Sequence, residues 1–328
     1  MHLTKRVTLA LATMVTMSAG IASAETKWVM PSGYPESNFF TQNLRAFIAD
    51  VDKETNGELK IDLRPNDELM KLDTVKRAVQ SGQVPIGEIR FGIYGNEDAM
   101  NVLDSVPSLA GNYVESRKLI QAQIPYYDKT FGEKGLKILS YEPWPGQGFF
   151  TKFPVNSVDD FKGVSIRIYS ASTQQMAELL GFNATILPFA EVPQAFSTGL
   201  IQSLFTSAQT GVDIQAWDYA KHFTYSGSML NKNGIIVNKR AFDKLSPEVQ
   251  AALVAAGERA TDRAFEMSKA AHEATVATLA ANGMAVVDAS PDLQARLKEI
   301  GDTMTADWAA KATPEQKAVL DAYLASLK

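Results

Sequence analysis

The side chain in this chain best placed for chemistry is Arg167. It falls in the run FKGVSIRIYS, where Val164, Ile166 and Ile168 alternate with Ser165, Arg167 and Tyr169. Period-2 alternation of this kind predicts a strand with one polar face. Catalytic groups are scarce by comparison. The chain has no cysteine and three histidines, of which His2 lies in an N-terminal leader. His222 and His272 are far apart and lack zinc-type spacing with other ligands; His222 reads as structural and His272 as surface. No G-x-S-x-G, H-E-x-x-H or phosphate loop occurs. The acid pair Asp159-Asp160 reads as the solvated start of a short helix, where the helix dipole favours carboxylates. The absence of these motifs leaves no nucleophile or base pair to assign, whereas a binding role needs much less: a cation beside an aromatic ring.

The elements around Arg167 give it a place. Ser172 is positioned to cap a short helix running to Leu180, with Gly181 to end it. Ala184 to Leu187 reads as a second strand, Phe189 to Ser197 as a second helix closed by Gly199, and Leu200 to Thr206 as a third strand. Strand, helix, strand, helix, strand is a doubly wound α/β unit, in which ligands gather beyond the carboxyl ends of the strands. The first third of the chain repeats the pattern. Lys27 to Met30, Leu59 to Leu63 and Ile86 to Phe91 read as strands, and Phe39 to Thr55 and Leu72 to Gln80 as helices. Between Asp104 and Tyr126 the pattern is helical and interrupted by Pro107, and Leu136 to Tyr141 is a strand. Pro143 to Gly148 then breaks all regularity and fits a crossover between lobes. Asn233 to Asn238 is a strand expected to return to the first lobe.

Ser246-Pro247-Glu248 opens a helical pattern that runs to about Asn282, long enough to lie across both lobes. Gly257 leaves open whether it is one helix or two. The chain from Pro291 onward is helical.

At the N-terminus, Lys5 and Arg6 precede an apolar run from Val7 to Ile21, followed by Ala22-Ser23-Ala24. This is the pattern of a secretory signal peptide cleaved at about Ala24/Glu25, which places the mature chain in the periplasm. No later apolar run is long enough to span a bilayer, so direct membrane insertion is not expected. Without cysteines, apolar burial must hold the fold, and a mature chain of about 300 residues suggests two lobes. Loss of Lys5 and Arg6 makes the formal charge of −5 two units more negative. An acidic chain with no basic cluster argues against nucleic acid as a partner.

Three motifs carry a resemblance. They are Lys162-Gly163 with Arg167, Pro188-Phe189-Ala190-Glu191-Val192, and Thr198-Gly199. Together they resemble the signature region of the DctP-type substrate-binding proteins that serve TRAP transporters. Tyr34 to Asn43, Lys76 to Gly87 and Ser246 to Leu253 also resemble family segments, so the likeness covers nearly the whole mature chain. The resemblance implies a two-lobe α/β fold of the periplasmic-binding-protein type, with a long C-terminal helix spanning both lobes. On that reading 25–144 and 233–272 form the first lobe, and 145–232 and 273–328 the second.

The resemblance further implies that Arg167 pairs with a ligand carboxylate, a geometry that suits the planar guanidinium. Many relatives carry a second Arg where this chain has Gln147, and sialic-acid-binding relatives carry Asn where it has Thr206. Both departures weigh against a dicarboxylate or a sugar acid. They favour a monocarboxylate with an aromatic or apolar body.

Trp144, Tyr169, Phe189 and Trp217 fall in loops or strand ends near the expected cleft, with Tyr34 and Phe39 facing them from the first lobe. Glu88 aligns with an acidic residue that some relatives use in the cleft; it is placed either to accept a ligand hydroxyl or to hold Arg90. Ser170, Ser207, Gln209 and Asn233 are further polar candidates. The expected partners are a small carboxylate and the small and large membrane subunits of a TRAP system, with no cofactor or metal. An exported enzyme on the same architecture, or a ligand-sensing partner of a membrane kinase, is the alternative.

Overall fold

The computed structural model describes residues 25–328. The expected signal peptide and its cleavage site lie outside the described residues. The first lobe opens with β1 (Thr26–Pro31), paired in parallel with β2 (Leu59–Arg64). Leu59, Ile61 and Leu63 of β2 point inward and their neighbours outward, as the alternation requires. Between them runs α1 (Phe39–Glu54), capped by Asn38, whose Oδ1 accepts from the Phe40 amide. Helix α2 (Leu72–Ser81) ends on Gly82 in the left-handed region and leads into β3 (Ile86–Arg90).

A short 3-10 segment (Ala99–Ser105) precedes α3 (Tyr113–Glu133), so the helix expected around Pro107 begins after it and instead carries Pro125 inside. β4 (Leu136–Ile138) and β5 (Glu142–Pro143) complete the outward path.

The chain then crosses over. The second lobe is a six-stranded sheet of β6 (Gln147–Thr151), β7 (Ser165–Ile168), β8 (Asn183–Ile186), β9 (Ser203–Ser207), β10 (His222–Tyr225) and β12 (Ala285–Asp288). Its order is β12-β10-β6-β9-β7-β8, and β7 lies parallel to both β8 and β9. β6 is buried on both faces. Phe149 enters a cluster with Phe161, Phe182 and Phe205, whereas Phe150 enters the opposite layer with Phe196, Phe223 and Leu279. The helices α4 (Ala171–Leu179), α5 (Val192–Ser197) and α6 (Ala208–Asp213) cover this sheet. The cap of α4 is Ser170 rather than Ser172, because Ser170 and Thr173 form a reciprocal capping box. β10 and β12 escaped the sequence pattern; β10 is buried at its two central residues and β12 is mostly exposed, so neither shows a strict inward-outward alternation.

β11 (Lys232–Asn238) returns to the first lobe, as expected, and pairs antiparallel with β3, β4 and β5. All seven of its residues are buried, as befits a central strand. After the short α7 (Lys239–Phe242) comes α8 (Pro247–Ala281), a single helix of 35 residues and therefore about 50 Å long. Its Leu253, Ala256 and Ala260 pack in the first lobe and its Leu279 in the second. Gly257 does not break it. A Cβ there would stand 2.3 Å from the Leu139 carbonyl oxygen, so glycine lets the helix lie directly on backbone.

His272, expected at the surface, is half-buried on α8 with its ring 4.4 Å from that of Tyr225. His222 opens β10 opposite Thr151. Helix α9 (Pro291–Lys311) packs its Leu293, Leu297 and Ile300 into the second lobe. The end of the chain departs from the expected division: α10 (Pro314–Ser326) folds back on α3, placing Leu320 and Tyr323 in the first-lobe core. No helix among the described residues is long and apolar enough to cross a membrane.

Candidate functional site

The two lobes enclose a cavity of about 770 Å³ whose inner wall is Arg167. This arginine stands at the carboxyl end of β7 and is only 4% exposed. Its Nε donates to the Leu187 carbonyl at 3.0 Å, which aims the remaining fork of the guanidinium. Among the described residues no carboxylate lies within ion-pair distance of it. Burial, followed by the neighbouring charge of Arg90, pushes its pKa down to about 10, so it remains a cation at neutral pH. A desolvated charge without an internal partner is costly, and an anion entering the cavity would relieve that cost.

Tyr169 forms the floor beside it. The Arg167 Cζ lies 5.5 Å from its ring centroid and the Arg90 Cζ 5.0 Å from the same centroid. Its hydroxyl donates to Asn231 Oδ1 at 2.6 Å, and burial pushes its pKa well up, so it stays neutral. Gln147 is pinned by donation from Nε2 to the Pro145 carbonyl at 2.8 Å. The Thr206 side chain, opposite Gly148 in the β6–β9 ladder, faces the cavity as well. Ser170 lines it too, while its Oγ accepts from the Thr173 amide.

The aromatic side is held from behind. The Trp144 indole donates to Asn233 Oδ1 at 2.9 Å, and Asn233 Nδ2 donates to Glu88 Oε1 at 2.8 Å. Ser32 donates to the second Glu88 oxygen. Burial pushes the Glu88 carboxyl up to about 7. Tyr34 meets the Trp144 ring edge-on at 5.1 Å and the Phe189 ring at 6.4 Å, the latter contact crossing from one lobe to the other. A second tie between lobes runs from Asn38 Nδ2 to Asp213 Oδ2 at 2.7 Å.

Eight of the eleven residues singled out from the sequence line this cavity: Arg167, Gln147, Thr206, Phe189, Tyr169, Ser170, Trp144 and Tyr34. Three stand elsewhere. Glu88 is one layer behind, holding Asn233 and Ser32 and forming no ion pair with Arg90. Phe39 lies behind Trp144, its ring 6.0 Å away in a cluster with Phe40. Trp217 sits in a 3-10 turn (Ala216–Asp218) and packs on the cluster around Phe150 and Phe223, because the apolar layer there accepts its ring.

Of the weaker polar candidates, Ser207 caps α6 and Gln209 donates to Asp213. The main residue the sequence reading missed is Arg90. It shares a strand face with Glu88 and Ile86, and its place at the carboxyl end of β3 was the available signal. Asn231, just before β11, was also missed.

The profile of the bacterial extracellular solute-binding proteins of family 7, DctP, matches residues 32–312. The chain is similar in structure to DctP7 of Bordetella pertussis, an extracytoplasmic solute receptor binding pyroglutamic acid. The two share 43% identity and a TM-score of 0.88 over 91% of this chain and 99% of that one. It is also similar to a marine metagenome TRAP solute-binding protein specific for pyroglutamate, at 34% identity and a TM-score of 0.88 over 92% and 99% of the two chains. Among curated relatives, the 2,3-diketo-L-gulonate-binding periplasmic protein of Escherichia coli is 30% identical over 70% of this chain and 71% of its own length. The chain belongs to the DctP family of bacterial extracellular solute-binding proteins, the TRAP solute receptors that bind small acids.

Proposed function

We propose that this receptor captures a compact monocarboxylate with an apolar ring face, and that L-pyroglutamate is the first compound of that class to test. The observation that carries the reading is Arg167: a buried cation with no carboxylate within ion-pair distance, on the wall of a cavity between the lobes to which Trp144, Phe189, Tyr169 and Tyr34 bring aromatic rings. A carboxylate facing its fork would make two parallel charge-assisted hydrogen bonds in a water-poor site. Gln147 and Thr206 then meet polar edges of the ligand body, and Trp144, Phe189 and Tyr34 hold its apolar face. Pyroglutamate, named for solved relatives at 43%, 40% and 34% identity, has one carboxylate and a five-membered ring with an amide edge. It matches this division of labour.

The protein returns its ligand unchanged. Closure of the lobes creates the surface that the small and large membrane subunits of a TRAP transporter recognise, so binding shifts the population toward the deliverable form. Export by a cleaved signal peptide puts the mature chain in the periplasm.

A thermal-shift series on the mature protein tests the ligand class. A compound that binds only the folded state raises the melting temperature with its concentration. L-Pyroglutamate is expected to give the largest shift, ahead of succinate, galacturonate and benzoate. A larger shift from galacturonate or succinate would overturn the monocarboxylate reading and leave the receptor assignment intact.

A further inference from the structure

A second cation reaches the cavity from the other lobe. Arg90 ends β3 in the first lobe, and its Nη2 donates to the Tyr169 carbonyl at 2.9 Å, two residues from Arg167 in the second. Each guanidinium lies within 5.5 Å of the centroid of the Tyr169 ring. Among the described residues neither has a carboxylate within ion-pair distance. Glu88, the acid nearest to Arg90 along its strand, is occupied by Ser32 and Asn233. We propose that Arg90 is the first-lobe arm of a two-armed anion clamp, and that this arm makes closure depend on the ligand's charge. The proposal rests on the carboxylate reading given above.

Two like charges brought together from opposite lobes repel, and each disfavours the other's charged form. The charge of Arg90 indeed pushes the Arg167 pKa down. In an empty receptor this repulsion opposes closure. A carboxylate between the arms reverses the sign, because both cations then attract one anion. Arg90 therefore acts twice, against closure without ligand and for closure with it. A purely mechanical tie from Arg90 to the Tyr169 carbonyl would need a hydrogen-bond donor but no charge, so charge dependence separates the two roles.

The absence of cysteines permits a direct test. Leu69→Cys and Leu200→Cys, at exposed positions on the two lobes, carry a fluorophore pair reporting the distance between them. Raising the salt from about 0.01 M to about 1 M shortens the screening length about tenfold. The empty labelled protein is expected to shift toward short distances as salt rises. Arg90→Gln should abolish that response and Arg90→Lys should retain it. Arg90→Gln should also weaken L-pyroglutamate binding by about tenfold or more.

An undiminished salt response in the empty Arg90→Gln protein overturns the clamp, even when L-pyroglutamate binds the parent protein. A salt response that depends on Arg90, in a protein indifferent to L-pyroglutamate, upholds the clamp and rejects the ligand instead.

Discussion

Replacing Arg167 by Met should move stability and affinity in opposite directions. The guanidinium is 4% exposed and unpaired, and burial lowers its pKa from the usual arginine range to about 10. A drop of that size corresponds to a penalty on the order of 3 kcal/mol for keeping the charge in the empty protein. Removal also forfeits the hydrogen bond to the Leu187 carbonyl, about 1 kcal/mol. The empty Arg167→Met protein should therefore be more stable by roughly 1–2 kcal/mol, since Met fills much of the same volume with no charge to desolvate.

Binding should suffer in the same variant. A ligand carboxylate left in the cavity without its partner costs about 3–5 kcal/mol, which is a loss of roughly a hundredfold to a few thousandfold. Denaturant unfolding without ligand and isothermal titration with L-pyroglutamate measure the two effects. A variant that is less stable when empty, or that binds within about threefold of the parent, refutes the argument that Arg167 is a stored, unpaired charge.

Three further outcomes follow from other parts of the molecule. Gly257→Ala should destabilise by at least about 2 kcal/mol, because its Cβ would stand 2.3 Å from the Leu139 oxygen; a melting temperature equal to the parent's would show that α8 can lift off. Burial pushes the Glu88 and Glu142 carboxyls up to about 7 and about 8. The unfolded chain ionises near 4.5 while the folded chain holds its protons, so stability should decline from about pH 4.5 to about pH 8 by a few kcal/mol. Glu142→Gln should flatten that decline in denaturant titrations, and an unchanged slope would contradict it. Phe189→Ala should weaken ligand binding, because its ring lines the cavity, whereas Trp217→Ala should lower the melting temperature and leave affinity nearly unchanged. The reverse pattern would mean that the two aromatic rings have been misplaced.

The sequence was most informative where periodicity and chemistry reinforced each other. Ile166, Arg167 and Ile168 announced a strand with one polar group inward, and that group lines the cavity. The strand over 233–238 was legible from Ile235, Ile236 and Val237, and it pairs with β3 and β4 of the first lobe. Less was legible where the deciding partner is distant in sequence. Glu88 and Arg90 lie on one face of one strand, and no local rule says which of them meets ligand. Ser32 and Asn233 claim Glu88, and Arg90 is left as the one of the two on the cavity wall.

Trp217 and Phe189 are both aromatic residues in turns near the cleft, and only tertiary packing divides them. The role of Gly257 was ambiguous for the same reason, since the Leu139 carbonyl that requires it is invisible to helix propensity. The position of α10 on α3 likewise depends on apolar faces meeting across the whole length of the chain.

The central claim is that a buried cation reads a carboxylate on the ligand. Calorimetric titration of the mature protein with L-pyroglutamate and with its neutral primary amide, which keeps the ring and loses the charge, tests it most directly. The acid should bind with one-to-one stoichiometry, and the amide should bind at least about a hundredfold more weakly. Equal affinity for the two, or binding of the amide alone, would contradict the account.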